Sequence, residues 1–169
     1  MPVGTQGTVK TLGSEDLEAL GFQLILSNTY HLGLRPGEDV VQRLGGLHAL
    51  MSWNGAILTD SGGYQVMSLS ANRKIEEAGV TFKSHLDGSS MFLSPERSIE
   101  IQQKLGVDIM MSLDVCPPYP CSKDEAAAAM AQTHRWAPRN LDQARKGASA
   151  LFGIVQGGIH DDLRDESAA

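Results

Sequence analysis

The amino-acid sequence predicts an α/β protein, and within that class a (β/α)8 barrel of which the chain covers about the first five strand–helix units. Three observations carry this. Apolar, strand-like runs alternate with helical stretches along all 169 residues, the pattern of a parallel sheet whose strands are joined by helices. Three of those runs end in a polar residue: Ile57-Leu58-Thr59 enters Asp60, Ile109 to Leu113 enters Asp114, and Leu151 to Val155 enters Gln156. Polar groups at the ends of several different strands favour a barrel, whose sites lie on that rim. The doubly wound alternative calls for a glycine fingerprint after the first strand in dinucleotide-binding proteins, and the sequence has none.

The elements follow in order. Met1 to Thr5 reads as a strand already under way. Ser14, Glu15 and Asp16 offer a cap and two acids to a short helix with Leu17, Leu20 and Phe22 on its apolar side, ending at Gly21. Leu24 to His31 reads as a buried strand running into polar residues. Arg35-Pro36-Gly37 is a turn, and Val40, Val41 and Leu44 have helical spacing before Gly45-Gly46. The strand to Asp60 is next. Val80 to Leu86 then alternates, Asp87-Gly88 signals a turn, and Ser90 to Leu93 returns, which predicts an antiparallel hairpin inserted between a strand and its helix. His85 and Asp87 on it read as ordinary surface and turn residues. Ser94-Pro95-Glu96 is a helix start, with Gly106 as its stop. After the strand to Asp114, Cys116 to Cys121 holds three prolines and cannot be helix. Its C-x4-C spacing is a poor match to zinc sites, so the two cysteines read as free thiols. Ser122 and Glu125 form a capping box that opens an Ala-rich helix carrying Met130, His134 and Trp136. Gly157-Gly158 follows the last strand and could cradle a phosphate.

Composition bounds the rest. With 41% hydrophobic and 20% charged residues the chain can bury a core. Two cysteines give no disulfide framework and point to a reducing compartment. No run approaches the length of a membrane span, so a cytoplasmic location is expected. A net charge of −6 argues on its face against nucleic acid, although a local basic patch can still supply phosphate contacts. The opening strand and the helix barely begun after Asp161 suggest one partial catalytic domain over 1–169, truncated at both ends.

Several long motifs, in order along the whole chain, carry a resemblance. They are Met1 to Thr5, Ser27-Asn28-Thr29-Tyr30-His31-Leu32, Leu34 to Gly37, Leu58-Thr59-Asp60-Ser61-Gly62-Gly63-Tyr64-Gln65-Val66, Phe82 to Gly88, Leu93 to Glu96, and Phe152 to Gly157. The sequence resembles tRNA-guanine transglycosylase, also called queuine tRNA-ribosyltransferase, of bacterial type. The resemblance implies a zinc-containing (β/α)8 barrel that replaces guanine at the anticodon wobble position with a 7-deazaguanine, through a covalent ribosyl–enzyme intermediate, in queuosine biosynthesis. It implies tRNAs with GUN anticodons (Asp, Asn, His, Tyr), guanine and preQ1-type bases as partners, and a homodimer. Asp60 then matches the general acid/base carboxylate and Ser61 the serine beside it. Tyr64 matches the aromatic that stacks on the base, Asp114 and Gln156 the pair that reads the guanine edge, and Asn28 an amide close to the ribose. Gln65 and Gly157 fall in the same substrate-binding motifs. Cys116 matches the bacterial pattern, hence preQ1 rather than queuine. The family's nucleophilic aspartate and its Cys3His zinc ligands fall beyond Ala169, so no metal ligand is expected among these residues.

Each role has a physical reason. Taking a base out of an anticodon loop means splaying it, stacking it and bonding its Watson–Crick edge. A carboxylate suits the N1–H and exocyclic amine of guanine, and an amide N–H suits O6. Exchange with retention needs one carboxylate to attack the sugar and another to move a proton. Two other readings stand beside this one. A non-catalytic tRNA-binding subunit of the same family has no need of Asp60, Asp114 and Gln156 together. A barrel lyase or hydrolase would show a metal triad or a Schiff-base lysine at a strand end.

Overall fold

A computed structural model of the chain describes residues 1–69 and 73–169, with the backbone alone at Leu69. Helix α1 (Ser14–Ala19) leads into strand β1 (Leu24–Ser27), followed by α2 (Thr29–Leu34), α3 (Glu38–Arg43), α4 (Gly46–Met51) and β2 (Ala56–Thr59). A short α5 (Gly63–Leu69) precedes β3 (Lys74–Glu76), β4 (Gly79–Lys83) and β5 (Ser90–Leu93). Then come α6 (Pro95–Leu105), β6 (Ile109–Met111), α7 (Lys123–Ala144), β7 (Ala150–Phe152) and α8 (Asp161–Ala168). The strands form a four-stranded sheet in the order β1-β2-β6-β7 and a separate three-stranded sheet, β3-β4-β5.

Every pairing in the larger sheet is parallel, and neighbours follow chain order with no reversal. The expected opening strand is reduced to one parallel bridge, Val3 to Leu26, held by Gly4 N–H to Leu26 O at 2.7 Å and Leu26 N–H to Pro2 O at 2.9 Å. The two faces of the sheet differ. Ile25, Ser27, Ile57, Thr59 and Met110 share one face and are buried. On the other lie Leu24, Leu26, Leu58, Ile109 and Met111, all half-buried, and Phe152, which is exposed. This open arc is α/β and parallel, as expected; within these residues it does not close.

Local chemistry accounts for where the expectations were off. Ser14 does not cap α1: Gly13 is the cap, and the Ser14 hydroxyl donates to Met51 O at 2.6 Å, tying the helix to α4. Leu17 is buried, but Leu20 is 63% exposed and Phe22 39%. The strand from Leu24 stops at Ser27, because Thr29 N–H and its hydroxyl both turn onto Asp60. The inserted hairpin gains a third strand, β3, antiparallel to β4. It also turns early, at Ser84, whose backbone accepts Gly88 N–H at 2.9 Å, so His85 sits in the turn rather than in the strand. The insert is tied down by Arg139 of α7, which donates to Glu96 at 2.6 and 2.8 Å and to the backbone oxygens of Glu77 and Ala78. The guanidinium holds the Glu96 carboxyl well down, at about 2, so this tie is present above the ordinary glutamate range and is lost as pH falls through that lowered value.

Helix α6 starts and stops as read, with Ser94 accepting Arg97 N–H at 3.1 Å and Gly106 left-handed at its end. Its buried Gln102 joins β2 to β6: the side-chain oxygen accepts from the Thr59 hydroxyl at 3.0 Å and Met111 N–H at 2.9 Å, and the amide donates to Met111 O at 3.0 Å. Gln102→Leu keeps the volume but leaves these backbone groups dry and unpaired. The full-length protein is expected to lose about 2–3 kcal/mol, read from the midpoint of urea unfolding; an unchanged midpoint would mean that Gln102 is replaceable by water.

Candidate active site

Asp60 directly follows β2, and its carboxylate is saturated. Thr29 N–H donates to Oδ1 at 2.9 Å and Gly62 N–H to the same oxygen at 3.2 Å. The Asn28 amide and Gln65 Nε2, the latter at 2.7 Å, donate to Oδ2. A carboxylate has about four acceptor positions, and the ends of β1 and β2 with the start of α5 fill them all. Asn28, Asp60 and Gln65 are thus one constellation. Gln65 Oε1 is buried and finds no donor among the described residues. Ser61 is buried, its hydroxyl accepting Gly63 N–H at 3.2 Å and its backbone oxygen the Ser98 hydroxyl at 2.7 Å. Gly62 has φ +80°, a backbone only glycine adopts freely. Tyr64 is 65% exposed, with its ring available to a flat partner.

Asp114 follows β6 and forms a second constellation with Gln156, whose Nε2 donates to Oδ2 at 2.6 Å. Burial pushes the Asp114 carboxyl up, with the Gln156 bond pulling partly back. Burial and then the Asp114 charge push the Cys116 thiol up as well. Both cysteines are free. The proline loop and the segment after β7 enclose a cleft of about 350 Å³, with Asp114, Cys116, Tyr119, Val155 and Gln156 on its walls. Gly157 closes that segment with φ +111°, and a Cβ there would lie 2.6 Å from Arg164 N. The chain therefore turns sharply onto α8 at Gly157. The two constellations adjoin: a Cβ on Gly63 would stand 3.2 Å from Asp114 O.

A third group was passed over in the sequence. The Tyr30 hydroxyl meets His85 Nδ1 at 2.7 Å, the two rings stack at 5.3 Å, and His31 packs edge-on against both. Burial and the neighbouring His85 push His31 down, the Asp60 charge opposing. The cluster pins the turn of the insert over the residues that hold Asp60. His85 lies 55 positions beyond Tyr30, and no local pattern joins them. Among the described residues, no group of three or more His, Cys, Asp or Glu side chains is placed to hold a metal ion.

Similarity to known proteins gives the family. The family model described as queuine tRNA-ribosyltransferase matches residues 1–169. The chain is 56% identical over 168 residues to a queuine tRNA-ribosyltransferase of Desulforamulus reducens, covering 99% of this chain and 45% of that protein. It is 57% identical over 169 residues to those of Listeria welshimeri and Bacillus subtilis, again over 99% of this chain, and over 45% and 44% of theirs. The chain thus spans somewhat under half the length of the relatives it matches. With the family model matched over all 169 residues, the chain belongs to the queuine tRNA-ribosyltransferase family.

Proposed function

We propose that the full-length protein exchanges guanine for a 7-deazaguanine at the wobble position of tRNAs with GUN anticodons, as a step of queuosine synthesis in the cytoplasm. The observation that carries this is the pair of unlike carboxylates on adjoining strand ends. Asp60 is held in one pose by four donors. Asp114 is half-buried, partly desolvated and met by a single side-chain amide, and environments that differ this way divide roles between two acids.

In this reading a flipped base enters the cleft beside the proline loop and lies against Tyr64. Asp114 accepts from the two donors on the guanine edge, and Gln156, with a second amide hydrogen to give, donates to O6. Gly157 turns the chain so that its backbone can approach the base. Asp60 carries the proton as the base leaves and its replacement enters, with Asn28 towards the ribose and Ser61 setting the turn. Gln65 Oε1, a buried acceptor with no protein donor among the described residues, offers a place for a hydrogen of the incoming molecule. Cys116 lies on the cleft wall, and its match to the bacterial pattern is what favours preQ1 as that molecule.

The half-buried apolar face of Leu26, Leu58 and Met111 supports a barrel, since parallel sheets are covered on both faces. Eight strands closing on themselves would bury that face. The covalent ribosyl intermediate and the homodimer belong to the same proposal. So does zinc, but the residues described do not fit it: its ligands and the nucleophilic aspartate are proposed to lie in the rest of the protein, and no step is drawn through the metal.

The test is transfer of radiolabelled guanine into unmodified tRNA by the full-length protein. Label in tRNA is expected, and tRNA binding without any label would favour the non-catalytic subunit. The 169-residue chain by itself is expected to leave the tRNA unlabelled. Label there would mean that a carboxylate among these residues attacks the sugar, which would remove Asp60 from proton transfer.

A further inference from the structure

Beyond Ser112, whose N–H donates to Phe152 O at 2.9 Å, the backbone leaves the β6 ladder, yet the next residues carry the half-buried Asp114 carboxylate. What replaces the sheet is a row of side chains from the helices. Gln102 of α6 pairs with both backbone groups of Met111. Asn140 of α7 does the same at Leu113: its Oδ1 accepts Leu113 N–H at 3.0 Å and its Nδ2 donates to Leu113 O at 3.1 Å. Thr133, two turns earlier on the same helix, accepts Val115 N–H at 3.0 Å. Asn140, Thr133, Leu113 and Val115 are all buried. An amide that gives one donor and one acceptor to a single residue copies what a neighbouring strand would supply.

We infer that Asn140 and Thr133 are positioning residues for Asp114. The inference rests on the base-reading role proposed above for that carboxylate. In an extended segment alternate residues face opposite ways. The clamps grip Leu113 and Val115 from the helix side, and Asp114 between them faces the cleft, where Gln156 meets it. With the flanking residues fixed on one side, the carboxylate has one direction in which to point. The bond from Gln156 alone does not supply this, since that residue lies four positions past the end of β7.

Thr133→Val in the full-length protein keeps the shape and removes the acceptor. It is expected to raise the KM for guanine about tenfold through misplacement of the reading group, with the KM for tRNA unchanged. Thr133→Ser, which retains the hydroxyl, is expected to restore the wild-type value. In an Asp114→Asn background Thr133→Val should add nothing further, because the group it positions is already gone. Should the valine variant fail to fold, Thr133→Ala carries the same expectation, since it leaves room for a water on Val115 N–H. A lower melting temperature with unchanged guanine KM in these variants would reduce Thr133 to a structural residue and overturn the inference. Asp114→Asn measured alongside separates the two failures. If it too leaves the guanine KM unchanged, the base-reading role falls; if it raises the KM while the Thr133 variants do not, the positioning role alone falls.

Discussion

Asp60→Asn in the full-length protein is expected to lower kcat for guanine exchange by roughly 10²–10⁴-fold, the usual worth of a positioned proton carrier, with little change in guanine KM or melting temperature. The hydrogen-bond geometry sets both halves of this. Thr29 N–H and Gly62 N–H point at Oδ1, and an asparagine carbonyl oxygen receives them equally well. Its amide nitrogen then faces the Asn28 and Gln65 amides across the Oδ2 position. Both are free to turn their own oxygens towards it, so the fold has a cheap adjustment while the proton carrier has none. The same geometry says how a carboxylate with every acceptor position filled takes up a proton. One donor must yield, and a side-chain amide can swing where a backbone N–H cannot. Steady-state rates with labelled guanine, beside thermal unfolding, check the expectation. Wild-type turnover in the variant would take Asp60 out of the chemistry.

How far the sequence discloses this arrangement depends on the range of each interaction. The parallel sheet was legible because strand–helix alternation and apolar runs are local, and so were the helix starts at Ser94 and Ser122, whose caps lie within three residues of what they bind. Asp60 and Asp114 stood out as carboxylates directly after apolar runs. The stop of β1 at Ser27 was not legible, because it is set by Asp60, 31 residues beyond Thr29. Strand β3 is three exposed residues with a single apolar one, Ile75, too short to give a periodic signal, and it exists by pairing with β4. His85 looked like an ordinary turn residue, which by exposure it is. Its contact with Tyr30 depends on how the insert folds back over the rim. Nothing local marks Asn140 either: in an Ala-rich amphipathic helix it reads as a polar surface position, whereas it is fully buried on the backbone of Leu113.

For Asp114→Asn, binding and stability are expected to move in opposite directions. Guanine presents two donors on one edge, and an amide at position 114 meets one of them with a donor of its own. Loss of the charged pair and one unmade bond costs about 1–3 kcal/mol, a rise of about 5–150-fold in guanine KM. The folded protein, however, carries that carboxylate at a cost. Burial raises its pKa above that of the unfolded chain, so the native state binds this proton more tightly. Its contribution to stability therefore falls as pH rises from the ordinary aspartate range through the raised value, and the penalty is fully present above that value. Asparagine removes that penalty and still offers an oxygen to Gln156 Nε2, so above the raised value the variant is expected to melt no lower than the wild type. The same titration gives guanine binding an acid limb. As pH falls through the raised pKa of Asp114, its protonated form can no longer accept from both donors and the KM rises, beginning above the range of an ordinary aspartate. In Asp114→Asn that limb should vanish and leave a flat, weak KM. Guanine KM measured across the acid range for both proteins decides the matter: an acid limb that survives the substitution belongs to another group, and Asp114 would then not be the residue that reads the base.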